Sequence, residues 1–180
     1  MEMIRRKAQS NQRGMSMIEM MIASVVLIVG VLSSAILIPL SIATNNRNKQ
    51  QSNSTVVAQM VMEKIMSVPA NPATILAITD CTGAVSSLNT TGSAAPGAGA
   101  TLLGSGVVDF STAAPAGYSM LYTTCGTGGR QATYDVRWNI RTLSNFVKLV
   151  TVSARRQNAT TNPNGFALPV TIRSMAGQGS

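Results

Sequence analysis

Three kinds of hydrophobic patterning follow one another along this chain. Residues 20–43 are apolar almost without a break and carry no charge. Residues 55–69, TVVAQMVMEKIMSVP, repeat their apolar positions every three or four residues. Residues 133–142, TYDVRWNIRT, alternate strictly between apolar and polar. A span, an amphipathic helix and a half-buried strand are the elements these patterns predict.

The unbroken stretch is long. As a helix, Met20–Ala43 covers about 36 Å, enough to cross the roughly 30 Å hydrocarbon core of a bilayer. Before it lies a leader with Arg5, Arg6, Lys7 and Arg13. The positive-inside tendency keeps such an N-terminus cytoplasmic and sends the rest of the chain out. Three readings compete. A secretory signal peptide would use the small-x-small site Ser41-Ile42-Ala43, but its apolar region would hold only about 7–15 residues. A plain membrane anchor explains length and orientation but not Glu19, because an acid at the centre of a membrane helix costs roughly 2.5–3.5 kcal/mol. The third reading gives Glu19 a partner. A cut between Gly14 and Met15 creates an α-amino cation four residues before Glu19, and Glu19 can neutralise that cation on an adjacent copy of the helix.

In the second pattern, Val57, Met60, Val61, Lys64 and Ile65 share one helical face, with the Lys64 stem lying along it. The helix is expected to stop before Pro69. If it continues from the anchor, Met15 to about Ser67 is one helix roughly 80 Å long. Methionines 60, 62 and 66 read as packing. Gly30 and Pro39 interrupt the apolar half; membrane helices ordinarily tolerate both.

Residues 69–117 are rich in Ala, Gly, Ser, Thr and Pro and predict a long loop with at most short strands. GAGATLLGSG within it superficially resembles a phosphate loop. It lacks the GK[ST] ending and the G-x-G-x-x-G register, and reads as flexible loop. Four strands are expected beyond it. They are Gly117–Cys125, then 133–142 with Tyr134, Val136, Trp138 and Ile140 inward, then 146–156 with Val150, Val152 and Ala154 inward, then Ala167–Arg173. Turns fall at GTGGRQ, at Leu143-Ser144-Asn145 and at TTNPNG. Pro169 places the last strand at an edge. Connections this short make the sheet antiparallel.

Composition changes the picture in two places. The chain has 180 residues, with 14 Lys and Arg against 6 acids, a formal charge of +8. A basic balance hints at nucleic acid or a membrane surface. Removal of a leader ending at Gly14 takes away four basic residues and Glu2, leaving 10 basic and 5 acidic, or +5. Arg155-Arg156 is then the one tight pair, so the charge reads as scattered and solvated, and nucleic acid is a partner without real support. The second place is cysteine. Cys81 and Cys125 suit one disulfide in an oxidising compartment, worth roughly 4 kcal/mol by loop closure; two buried free thiols are the other reading. Cys81 is placed to pin the long loop.

Enzyme chemistry is poorly served. There is no histidine, hence no histidine-based triad, general base or zinc site. Two cysteines 44 residues apart do not make a metal cluster. The acids of the shortened chain (Glu19, Glu63, Asp80, Asp109 and Asp135) are isolated in sequence. The residues argue for a non-enzyme without cofactor or metal.

Gly14-Met15-Ser16-Met17-Ile18-Glu19 followed by MMIASVVLIVGVL resembles the prepilin cleavage and methylation motif of type IV pilins and pseudopilins. Shared features are a short basic leader ending in Gly, an apolar first mature residue, Glu at the fifth mature position and an apolar helix. The family usually has Phe where this chain has Met15. The resemblance implies that prepilin peptidase cuts after Gly14 and methylates the Met15 amine. It implies that Glu19 pairs with the amine of a neighbouring subunit and sets axial register. It also makes Gly30 and Pro39 a weak point where the helix can unwind in a filament. Tyr134, Val136 and Trp138, then Lys148, Val150 and Val152, resemble the paired C-terminal strands of PilV-type minor pilins, although Ala154 stands where that family often has Trp.

The expected architecture is α+β and type IV pilin-like, one long N-terminal helix packed on an antiparallel sheet of about four strands. Residues 1–14 would be leader, 15–43 the membrane and filament-core helix, 44–68 its amphipathic half. Residues 69–180 would be a head with a variable loop at 69–117 and a sheet over about 117–173. The implied role is a structural minor pilin of a type IV pilus. Alternatives are a minor pseudopilin of a type II secretion system and a pilus-tip adhesin or DNA-uptake pilin. Implied partners are prepilin peptidase, other pilins, the inner-membrane assembly platform and, before assembly, membrane lipid. The expected location is the inner membrane, single-pass with the C-terminal domain periplasmic, and then the pilus at the cell surface.

Overall fold

The computed structural model describes residues 15–69, 74–113, 115–127, 129, 131–157 and 168–177. The leader with Gly14, and the turn expected at 160–165, lie outside the described residues. The chain divides into two units, Met1–Ile42 and Ala43–Ser180.

Helix α1 runs from Met17 to Met66. In the first unit it is apolar all round. Pro39 lies inside the helix, and the helix is unbroken there and at Gly30. Ser24, Ser33 and Ser34 turn their hydroxyls back to the carbonyls of Met21, Val29 and Gly30, at 2.8, 2.8 and 2.9 Å. Hydroxyls satisfied within their own helix are compatible with a lipid environment.

In the second unit the remainder of α1 presents one buried stripe, Ser54, Val57, Ala58, Val61, Met62 and Ile65. This corrects the stripe expected from sequence. Lys64 is exposed, and Met60 is only partly buried. Ser54 and Ala58 are fully buried with Val61 and Ile65, and Lys64 lies off that stripe.

Strands β1 (Ile75–Thr79) and β2 (Val85–Asn89) form an antiparallel hairpin. The main sheet has five strands: β3 (Ala98–Gly99), β4 (Ser119–Cys125), β5 (Gln131–Ser144), β6 (Val147–Arg156) and β7 (Val170–Gly177). Its strands pair antiparallel, and Ser93 adds an isolated parallel bridge to Arg141. The path is β3-β5-β6-β7, and β4 also pairs with β5. β4 matches residues 131–137 of β5, and β3 matches Asn139 and Ile140, so the two short strands follow one another along one edge of β5. β7 is an edge strand, as Pro169 implies. β5 runs on through Leu143 and Ser144, with a register shift between Thr142 and Ser144; the turn comes later than the sequence suggests because the bulge absorbs the extra residue.

The strict alternation of β5 puts Tyr134, Val136, Trp138 and Ile140 on the core face, all essentially inaccessible. Val150, Val152 and Ala154 of β6 join them, together with Val57, Val61 and Ile65 of α1. Trp138 satisfies its indole N–H on the Asn89 carbonyl at 3.0 Å and packs a tilted ring against Tyr118, centroids 6.3 Å apart. The Tyr118 hydroxyl donates to the Thr91 carbonyl at 2.8 Å. Two polar tips on large rings thereby tie the end of β2 to the sheet.

The other face of the sheet is not simply wet, as alternation predicts. Asn139, Thr151 and Ser153 on that face are buried. Asn139 donates its side-chain amide to the Ala100 carbonyl at 3.0 Å, and the Ala100 amide donates to the Trp138 carbonyl at 2.8 Å. The segment expected to be a flexible loop is therefore hydrogen-bonded onto the sheet. Gly99 makes that approach possible: its φ is +108°, and a Cβ there would collide with the Trp138 carbonyl and the Tyr118 ring.

Candidate assembly site

The residues singled out at the N-terminus begin with Met15 and Ser16, just ahead of α1. The first helical turn starts at Met17 and holds Glu19. The Met20 amide donates to the Ser16 carbonyl at 3.1 Å. A carboxylate in the first turn is favoured by the unsatisfied N–H groups of the helix start. Glu19 is exposed and forms no ion pair among the described residues.

Around it lies bare apolar surface. Every large apolar side chain from Met15 to Ile42 is more than half exposed, from 55% at Ile28 to 87% at Met17. α1 is long and apolar enough to cross a membrane, and none of its most apolar stretch is covered by the rest of the chain. Burying one such side chain stabilises by roughly 1.5–3 kcal/mol. A surface of this extent demands lipid or other helices around it. Gly30, Ser34 and Ala35 leave a shallow groove edged by Leu27, Val31 and Ile38, a shape that lets a second helix approach closely.

In the head, Cys81 and Cys125 are joined as a disulfide with Cα atoms 5.8 Å apart. Asp80 holds the turn beside it. Its Oδ1 accepts from the Thr82 hydroxyl at 2.6 Å and from the amides of Thr82 and Ala84 at 2.8 and 3.0 Å. Its Oδ2 accepts from the Thr123 amide at 3.3 Å. These bonds, the Thr82 hydroxyl first, hold the carboxyl below the usual aspartate range against the opposing effect of desolvation. Sequence showed the cysteines but not Asp80, whose partners come from a turn and a distant strand.

Lys148 was legible only as part of a strand pattern. It lies on the core face of β6, 1% exposed, with Nζ 2.7 Å from the Ile65 carbonyl and 2.8 Å from that of Val68. The Ile65 carbonyl would ordinarily accept from residue 69 in a continuing helix, but Pro69 has no amide hydrogen. Lys148 supplies the missing donor.

On the opposite face, Asp135 binds Arg137 at 3.0 Å and Arg155 at 3.3 Å. Both guanidinium groups lie over the Phe110 ring, 4.8 and 4.4 Å from its centre. Arg137 also donates to the Thr112 carbonyl. This cluster clamps the 109–112 segment to the sheet. Its charges are used in structure, so Arg155 of the tight pair is not free. No group of three or more acids or cysteines able to hold a metal ion occurs among the described residues.

The family model for the prokaryotic N-terminal methylation motif matches residues 9–37. No curated protein and no solved structure matches the chain. The matched segment contains Gly14, Met15, Glu19 and most of the apolar span. The motif implies processing by prepilin peptidase and assembly with other pilins, and with the apolar helix it supports membrane anchoring followed by assembly. Methylation motif, exposed apolar helix and α+β layout together support a structural protein similar to type IV pilins.

Proposed function

We propose that this chain is a minor pilin of a type IV pilus, of the PilV-like kind. Residues 1–14 are then the leader, 15–43 the membrane and filament-core segment, 44–68 the amphipathic half of the helix and 69–180 the head. Prepilin peptidase cuts between Gly14 and Met15 and methylates the new amine. The head is carried on the periplasmic side before assembly and at the cell surface afterwards. In the filament Glu19 meets the methylated amine of a neighbouring subunit and fixes the axial register between helices.

The observation that carries this reading is Glu19. It is a carboxylate in the first turn of α1, at the head of its exposed apolar half, with no ion-pair partner among the described residues. A cation brought by assembly would give that charge the partner that the chain itself does not supply.

Intact-mass analysis of the protein from membranes and from sheared surface filaments tests the proposal. The expected species begins at Met15 and carries one extra methyl group. Its presence in sheared filaments favours the pilus over a type II secretion pseudopilus. A chain beginning at Thr44 would mean an ordinary signal peptide and would end the pilin reading.

A further inference from the structure

Tyr134 of β5 is 1% exposed, and its ring belongs to the core. Its hydroxyl forms no hydrogen bond among the described residues. No fully enclosed side-chain oxygen or nitrogen of those residues lacks a partner, so the small accessible part of Tyr134 is the hydroxyl itself. Tyr134 lines a cavity of about 550 Å³, and the hydroxyl is what it presents there. A buried hydroxyl without a protein partner calls for one from outside the chain. The cavity lies wholly within the unit Ala43–Ser180.

The rest of the wall is cationic and polar. Asn46, Lys49, Gln50 and Asn53 follow one another at helical spacing on α1 and line one side. Arg156 of β6 lines it as well, with the end of β4 and the turn after it. Lys49 and Arg156 form no ion pair among the described residues, and the lining holds no acid. Two unpaired cations lining one cavity repel each other until an anion joins them. Arginine suits a phosphate through its planar fork, and lysine suits it as a point charge.

A phosphate alone would fill only a small part of this space, whose volume falls in the range of small-ligand sites. Asn46, Gln50 and Asn53 each carry donors and an acceptor on one side chain, which is what sugar hydroxyls pair with. Tyr134 is the single aromatic in the lining and its ring is buried, so no face is open for a nucleotide base to stack on. We propose that the cavity binds a phosphorylated sugar. Lys49 and Arg156 hold the phosphate, the Tyr134 hydroxyl donates to it, and the sugar hydroxyls pair with the carboxamides of α1. None of these residues takes part in the assembly proposed above.

The test is titration calorimetry of the full chain in a non-ionic detergent at low salt, with glucose 6-phosphate as the probe. Wild type should bind it saturably, and inorganic phosphate more weakly. Tyr134→Phe keeps the ring in the core and removes only the hydroxyl. It should melt at the wild-type temperature, because that hydroxyl has no protein partner to lose, and should bind about ten-fold more weakly. The double variant Lys49→Gln, Arg156→Gln loses two charged contacts and should bind about a hundred-fold more weakly. Lys64→Gln, on the same helix but outside the lining, should bind as wild type does. Wild-type affinity in Tyr134→Phe or in the double variant overturns the site. Inorganic phosphate that binds as tightly as the sugar phosphate overturns the sugar assignment. No saturable heat at millimolar glucose 6-phosphate overturns the proposal outright, and it leaves N-terminal processing and filament entry untouched.

Discussion

Lys148 on β6 donates from its Nζ to the Ile65 carbonyl at 2.7 Å, across 83 residues of sequence. The bond fastens the last turn of α1 to the sheet where Pro69 withholds the usual donor. Replacing Lys148 with Met leaves the Ile65 and Val68 carbonyls without that partner. A buried carbonyl left unpaired costs about 1–3 kcal/mol. Some of the loss is offset because a desolvated ammonium is also removed. The expected net destabilisation is about 2 kcal/mol, read as a lower urea midpoint for the intact chain in detergent. A midpoint within error of wild type would deny the bond its role.

The same lysine has a pH signature. Burial holds its ammonium below the ordinary value of 10.5. In the window just below 10.5 the unfolded chain binds more protons than the folded chain, so stability rises with pH there. The Met variant lacks this gain. The gap between wild type and Lys148→Met should widen as pH rises towards 10.5. A constant gap would mean that desolvation is not felt at the site.

Asp80 works in the opposite sense. Its folded carboxyl titrates below the ordinary value of 3.8, chiefly through the Thr82 hydroxyl. Its contribution to stability is present above that value and is lost as pH falls through the lower folded value. Asp80→Asn should flatten the acid limb of the stability profile below about pH 4. An unchanged acid limb would assign the acid sensitivity to another group.

Removing the Cys81–Cys125 bond by a double serine substitution opens a loop with a sequence separation of 44. Loop-closure entropy predicts a loss of roughly 4 kcal/mol. The check is the melting temperature of the variant against wild type, each with and without reductant. Reductant should lower the wild-type value towards that of the variant and leave the variant unmoved.

Phe110→Ala should free the segment clamped by Arg137 and Arg155. Each cation–π contact is worth about 0.5–1 kcal/mol at a partly exposed site. The amide of Asp109, which donates to the Thr101 carbonyl, should then exchange with solvent about ten-fold faster. Equal exchange rates would leave the clamp to the Arg137–Thr112 hydrogen bond.

Glu19→Ala tests the proposed register charge. The variant should still be cut and methylated, because the peptidase acts beside Gly14 and Met15, but should be missing from sheared filaments. Entry into filaments at the wild-type level would remove Glu19 from the assembly mechanism.

What could be read in the sequence was what is local. The alternation of Tyr134, Val136, Trp138 and Ile140 is a period-two pattern, and it gave both the strand and its inner face. The N-terminal methylation motif is likewise a local pattern, contained in residues 9–37. The hidden features are those whose partners are remote. Asn139 reads as an outward polar residue of β5, and only the crossing backbone at Ala100 buries it. Lys148 reads only as a member of a strand pattern, because its acceptors belong to α1. The helical stripe was displaced for a related reason: periodicity ranks Lys64 with its neighbours. The buried stripe runs through Ser54 and Ala58 instead.

The chain contains a single tryptophan, three tyrosines and three phenylalanines, and all seven lie between residues 110 and 166. Trp138 is sealed in the core beside Tyr118. The apolar half of α1 has no aromatic ring at all. Intrinsic fluorescence and near-ultraviolet dichroism therefore report on the head alone, while far-ultraviolet dichroism sees the whole helix as well. One sample in detergent carries two separable optical signals. With them, loss of head packing can be followed independently of the state of the membrane segment, without attaching any label.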